Sequence, residues 1–180
     1  MIVNLIRHGS TKGNLEKRYI GTTDEPLDIT GINLLKDKKY PKCEVVYCSP
    51  MLRCVQTAKI IYPNMDIIIV DNLKECNFGD FENKNYLELS NNSYYQKWIQ
   101  SNGTLPFPNG ENKKDFSNRS YTAFKNIITN CDKNNISMIV HGGTIMSIME
   151  HLRPNSNYFD FQIKNGEYLT IDIDLHKKGF

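Results

Sequence analysis

LIRHGSTKGN, Leu5 to Asn14, is the stretch whose reading decides the fold. It begins inside an apolar run, Ile2 to Ile6, and passes through Arg7, His8 and Gly9 into hydroxyl and amide side chains. A short β-branched run that stops at a glycine reads as a buried strand delivering its last residues to a tight turn. In open α/β sheets, ligands bind beyond that end of the strands. Arg7 brings a planar fork that matches phosphate oxygens, and the His8 imidazole can attack or carry a proton. Thr11 and Asn14 open the next segment, whose backbone N–H groups can face an anion. Taken alone, such a tripeptide is equally a strand end with a surface ion pair.

Three more runs repeat the pattern: Val45 to Cys48, Ile67 to Val70 and Ser137 to Val140. Four to six apolar residues between polar turns suit strands of a parallel sheet buried on both faces. Helical patterns lie between them. Thr30 is placed to cap GINLLKDKK, with Leu34 and Leu35 inward. MLRCVQTAKII follows Pro50 and offers Leu52, Val55, Ala58, Ile60 and Ile61 as one face. A helix from about Glu111 to Cys131 carries the stripe Phe116, Tyr121, Phe124, Ile127 and Ile128. TIMSIMEHL reads as a further helix ending before Pro154. EYLTIDIDL alternates as an edge strand does. Strands alternating with helices predict an α/β three-layer α/β/α sandwich with a mostly parallel sheet and an antiparallel edge strand. One domain is expected over residues 1–180. A small, partly helical cap is expected around 78–110, where Tyr86, Tyr94, Tyr95, Trp98 and Phe107 gather.

Three other segments carry chemistry. In CSPMLRCVQTA, Cys48 to Ala58, a strand turns through Ser-Pro into a helix, and Arg53 lies one turn in, able to point back to the strand end. An exposed helical Arg paired with a carboxylate is its plain alternative. LKECNFGDFE, Leu73 to Glu82, puts Glu75 at the sheet's C-terminal edge, where a carboxylate serves as general acid or base. Asp80 and Glu82 are rivals for that role, with solvation the simpler fate. IVHGGT, Ile139 to Thr144, repeats the opening design: apolar strand, His141, then Gly142 and Gly143. Two His, two Arg and one carboxylate thus converge on one edge. Two guanidinium groups make a phosphate clamp, one imidazole a nucleophile and the other a stabiliser of charge. The carboxylate can protonate the leaving oxygen and then activate water. This constellation points to phosphoryl transfer through a phosphohistidine.

Composition narrows the partners. Among 180 residues, 22 cations face 20 anions, leaving no electrostatic footprint for nucleic acid or an acidic membrane. The longest apolar runs fall far short of the roughly 20 residues of a membrane span. MIVNLIRHG lacks the features of a secretory leader, and five cysteines without a CxxC pair suit a reducing compartment, so a cytoplasmic location is expected. Of the 22 cations 17 are Lys and only five Arg, so each Arg merits placing. Arg7 and Arg53 fall where a clamp needs them, Arg18 can reach a pocket rim, and Arg119 and Arg153 read as surface residues. His151 reads as complementing a helix dipole, and His176, in HKKGF, as solvated. Cys54 and Cys76, beside Arg53 and Glu75, read as small packing residues, with a lowered thiol pKa as the alternative.

The chain resembles the histidine phosphatase superfamily, which includes cofactor-dependent phosphoglycerate mutase. IRHGSTKGN, RYIGTTDEPLDITG, CSPMLRCVQTA, LKECNFGDFE, WIQSNGTLPFPNGEN and VHGGT carry the resemblance, in family order and over nearly the whole length. The resemblance implies that His8 is phosphorylated, that Arg7, Arg53 and His141 complete the phosphate pocket together with Gly142, and that Glu75 donates the proton. It implies that Asn14, Ile20 and Gly21 line the substrate pocket, and that neither a metal nor an organic cofactor is used. Within the superfamily RYIGTTDEPL, NFGDFE and the WI…P…GEN stretch look most like α-ribazole phosphatase. The expected partner is therefore a small phosphorylated metabolite, with α-ribazole 5′-phosphate foremost. A mutase, a broad-specificity metabolite phosphatase and a catalytically idle phosphate-binding module are the alternatives. The cap aromatics either stack on the substrate's aromatic base or simply pack the cap. Two departures touch the expected rim: Asn112 stands where many relatives have Ser, and Met146 where an Arg often follows the HGG motif.

Overall fold

The computed structural model describes residues 1–174; the expectation for His176 and the last residue of the predicted tail strand, Leu175, fall outside the described residues. Among the described residues, five strands form one sheet: β1 (Ile2–Arg7), β2 (Val45–Cys48), β3 (Ile67–Ile69), β4 (Asn135–Val140) and β5 (Tyr168–Asp172). Their order is β3-β2-β4-β1-β5. The first four run parallel, and β5 pairs antiparallel with β1 at the edge, as the alternation of its sequence predicts. β3 differs from expectation. Among the described residues its one neighbour is β2, so Ile68 and Ile69 stay exposed despite their apolar character.

The helices are α1 (Lys12–Leu15), α2 (Ile29–Asp37), α3 (Leu52–Ile61), α4 (Ser93–Gln100), α5 (Lys113–Asn130) and α6 (Gly142–Leu152). Because side chains alternate across a strand, β1 and β4 each feed two cores. Val3 and Leu5 join Ile136, Met138 and Val140 beneath α5 and α6, packed by Phe124, Ile127, Ile128, Ile145 and Ile148. Ile6 and Ile139 face the other way, with Val46, Cys48, Cys54 and Ala58 beneath α3. The result is the three-layer sandwich that alternating strands and helices predict.

Two helices are rotated relative to their apolar patterns. Asp28, not Thr30, caps α2 by accepting from the Gly31 N–H at 2.6 Å, so the helix starts earlier; Leu35 is buried while Leu34 is 55% exposed. On α3 the inward face is Arg53, Cys54, Thr57 and Ala58, and Leu52 is exposed. A helix normally buries its apolar stripe; α3 instead brings an arginine and a threonine to the sheet's ligand-binding end.

The cap spans a 3-10 turn at Gly79–Phe81 and α4. Its rings pack on each other: Phe81, Leu89 and Tyr95 are buried, with Tyr19, Phe78, Tyr94, Trp98 and Phe107 around them. Tyr95 stacks on Trp98 at 6.1 Å, and Phe78 meets Phe107 edge-on at 5.0 Å. These aromatics are the cap's own core. Arg18 anchors the cap from outside, pairing with Glu16 at 2.6 Å and Glu88 at 2.8 Å rather than standing free at a rim.

Candidate active site

The sheet register brings the two histidines together. Ile6 pairs with Ile139 and Arg7 with Val140, so the next residues on the α3 side are His8 and His141. Their rings meet edge to face, 5.1 Å between centroids, and both are buried. His8 Nδ1 lies 2.7 Å from the Gly9 carbonyl. A carbonyl can only accept, so Nδ1 carries the proton and Nε2 keeps its lone pair. His141 is set the other way. Its Nδ1 accepts from Arg53 Nε at 3.3 Å, a group that can only donate, so Nε2–H donates to Ser49 Oγ at 2.8 Å. Burial, and then the nearby Arg53, hold both imidazoles well below their ordinary value of 6.5, so both are neutral.

Arg53 is fully buried, and a buried guanidinium must be hydrogen-bonded. Besides His141 it donates to the carbonyls of Thr23 (2.8 Å), Gly21 (2.8 Å) and Ile20 (3.4 Å), which leaves one Nη1–H for a ligand. Ile20 and Gly21 thus reach the site through their backbone oxygens. The turn they form is gathered by Glu82, which accepts from the N–H groups of Gly21, Thr22 and Thr23 and from Thr23 Oγ1. Glu82 is a turn organiser rather than a solvated acid, and Asp80 lies out on the surface with Asn109. A Cβ at Gly21 would fall 1.8 Å from the Cys76 carbonyl, so only glycine fits there.

Arg7 points to the opposite face of β1 from His8. Its Nη1 donates to the Ile163 carbonyl at 2.7 Å, its guanidinium lies beside Gly142, and its buried Nε–H has no partner. An unpaired buried donor costs about 1–3 kcal/mol, so this one marks a place for an acceptor. Glu75 is buried with Oε1 accepting from the Cys76 N–H (3.0 Å) and Oε2 from the Gly143 N–H (3.0 Å). A Cβ at Gly143 would stand 2.4 Å from Oε1, so the second glycine of the HGG turn is what admits the carboxyl. Burial raises the Glu75 pKa above its ordinary 4.5, against the opposing pull of those two N–H groups, Arg53 and Arg7. A buried carboxyl whose pKa is raised, within the field of two guanidinium groups, can work as a general acid.

The opening turn is differently used than its sequence implies. The N–H groups of Thr11, Gly13 and Asn14 are taken by Asn14 Oδ1, Glu25 and Thr11 Oγ1, so they do not form an open anion nest. Asn14 Oδ1 also accepts from Asn165 Nδ2 at 3.0 Å, and Asn165 reaches the carbonyls of His8 (3.2 Å) and Gly9 (3.4 Å). Asn165 is a residue that sequence reading missed. So are Ser49, which accepts from His141 Nε2–H, and Thr57, which receives the Gly9 N–H at 3.0 Å. Arg119, read as a surface residue, is bonded to Glu111 and to the backbone carrying Glu75. Asn112 caps α5 by accepting from the Asp115 N–H, as a Ser there would, so this departure keeps the local structure intact. Burial raises the thiols of Cys54 and Cys76, in keeping with packing roles. His151, in the last turn of α6, stacks on Tyr121 at 4.3 Å.

Among the described residues, no three His, Cys, Asp or Glu side chains gather so as to hold a metal ion, and no helix is long and apolar enough to cross a membrane. The profile of the histidine phosphatase superfamily (branch 1) matches residues 3–180. The adenosylcobalamin/alpha-ribazole phosphatase of Salmonella typhimurium is 26% identical over 179 residues, covering 94% of this chain and 89% of that protein. The 2,3-bisphosphoglycerate-dependent phosphoglycerate mutase 2 of Gloeobacter violaceus is 28% identical, covering 83% of this chain and 76% of that one. The crystal structure of the alpha-ribazole phosphatase from Shigella flexneri superposes with a TM-score of 0.84 over 97% of this chain and 92% of that one; at 24% identity this likeness speaks for the fold alone.

Proposed function

Since the chain belongs to the histidine phosphatase superfamily, we propose that it hydrolyses a small phosphomonoester through a phosphohistidine on His8, with Glu75 as general acid and then base. The observation that carries this reading is the His8 tautomer: Nδ1–H is held by the Gly9 carbonyl, leaving Nε2 as a neutral nucleophile. The ester's phosphoryl group sits against the unpartnered Arg7 Nε–H and the remaining Arg53 Nη1–H. His8 Nε2 forms the N–P bond as the P–O bond to the alcohol breaks, and Glu75 gives its proton to the departing oxygen. A water then loses a proton to the Glu75 carboxylate and attacks phosphorus; the N–P bond breaks and phosphate leaves. His8 and Glu75 return to their starting protonation states. His141, neutral and bonded to both Arg53 and Ser49, holds the Arg53 guanidinium beside the reacting group.

For the ester our reading is α-ribazole 5′-phosphate, supported by similarity across almost the full length to adenosylcobalamin/alpha-ribazole phosphatases. Similarity to a phosphoglycerate mutase favours a second reading, in which the phosphoryl group returns to substrate instead of water. One assay decides between them. With α-ribazole 5′-phosphate and 3-phosphoglycerate supplied in parallel, the first is expected to release phosphate at the higher kcat/KM. Mutase turnover of 3-phosphoglycerate above all ester hydrolysis would replace the first reading by the second.

A further inference from the structure

Glu75 stands on irregular backbone between β3 and the cap, where no helix or strand holds it in place. Arg119 reaches that backbone from α5, its guanidinium 5.1 Å over the Phe116 ring. All five of its N–H groups have acceptors. Nε donates to Glu111 Oε1 at 2.9 Å and Nη2 to Glu111 Oε2 at 2.7 Å. The others go to the carbonyls of Asn72 (3.1 Å), Lys74 (2.9 Å) and Glu75 (3.2 Å). Glu111 closes the arrangement, because Oε2 also accepts from the Asn77 N–H at 2.9 Å and its own N–H donates to the Asn77 carbonyl at 2.9 Å. One ion pair therefore grips residues 72, 74, 75 and 77 without touching the Glu75 carboxyl. The pair is partly exposed, side chains 23% and 25% accessible, so its charge attraction is screened and its chief effect is geometric.

We infer that Arg119 and Glu111 are positioning residues for Glu75, fixing the backbone from which the proton donor reaches the leaving oxygen. The inference rests on the proposed role of Glu75 as general acid. A misplacement of about 1 Å at a catalytic group can lower rate on the order of 100-fold, and the five-donor fork is one that Lys cannot reproduce.

The test compares two esters differing in their need for a proton. p-Nitrophenolate departs as a stable anion, whereas phenolate needs protonation, and kcat/KM reports the step that cleaves P–O. Arg119→Ala is expected to lower kcat/KM for phenyl phosphate about 10- to 100-fold, and for p-nitrophenyl phosphate by less than about 3-fold. Arg119→Lys is expected not to restore the loss. Glu111→Gln, which keeps side-chain size and the acceptor for Asn77, is expected to discriminate in the same direction by a smaller factor, and it decides the matter if Arg119→Ala fails to fold. Equal losses on both esters, or no loss, in these variants would overturn the inference. Glu75→Gln is run beside them. Discrimination there with none at Arg119 or Glu111 refutes the positioning pair alone, while no discrimination in Glu75→Gln refutes the role of Glu75 itself.

Discussion

β1 and β4 lie side by side and lead into similar turns, Ile6-Arg7-His8-Gly9 and Ile139-Val140-His141-Gly142, yet their imidazoles end in opposite tautomers. His8 meets an acceptor at Nδ1, the carbonyl of the next residue, and its Nε2 is left open. His141 meets a donor at Nδ1, the guanidinium of Arg53 on α3, and must send its proton to Ser49. Equivalent local sequences thus acquire different chemistry from the polarity of one partner. In the first turn that partner is adjacent in the chain, and in the second it is 88 residues away.

The sharpest way to break this contrast is to remove each ring in turn. In the proposed mechanism His8→Ala lowers phosphate release at least about 10³-fold, because it removes the nitrogen that forms the N–P bond. His141→Ala removes a supporting group and is expected to cost about 10²-fold. Steady-state phosphate release measures both. A larger loss at His141 than at His8 would exchange their roles.

A milder change acts on the second ring alone, through the hydrogen bond that Arg53 does not make. Ser49→Ala takes away the acceptor of His141 Nε2–H and leaves a buried donor unpaired, a destabilisation of about 1–3 kcal/mol by denaturant titration. Activity is expected to fall about 10-fold, since His141 no longer holds Arg53 firmly. Unchanged stability would mean that this hydrogen bond does not set the ring.

What could be read from the chain divides along the same line as the two turns. Strand ends, tight turns and the residues riding on them are local features, so Arg7, His8, Glu75 and His141 were legible, as was the parallel sheet with its antiparallel edge. Groups whose meaning depends on distant partners were not. Asn165 is an ordinary loop amide until the fold brings it onto the His8 and Gly9 carbonyls. Arg119 looks like a solvated helical cation until its fork is set against the loop carrying Glu75. Arg53 turns back to the strand end as its place in the sequence allows, but the apolar face of α3 differs from expectation: Leu52 is exposed, and Thr57 is buried with its hydroxyl donating to the Arg53 carbonyl one turn earlier.

A further predicted effect is one the two histidines share. Both are held neutral below the ordinary value of 6.5, so as pH falls the unfolded chain takes up protons before the folded one. Their contribution to stability is complete above pH 6.5 and declines as pH drops below it towards the folded values. Each ring adds a slope of up to about 1.4 kcal/mol per pH unit. Urea unfolding at about pH 7 and about pH 5.5 should show this loss, and His141→Gln should remove about half of its slope. An equal slope in the variant would mean that His141 is not held neutral in the folded protein.

The central claim, that two similar His-Gly strand endings yield one nucleophile and one supporting ring, is tested most directly by trapping the phosphoenzyme. The protein is incubated with p-nitrophenyl phosphate, quenched in alkali to preserve an acid-labile N–P bond, and digested for peptide mass spectrometry. The phosphoryl group is predicted on His8 at Nε2, with none on His141, and its appearance should survive His141→Ala. Phosphate found on His141, or on any other side chain in place of His8, would contradict the account.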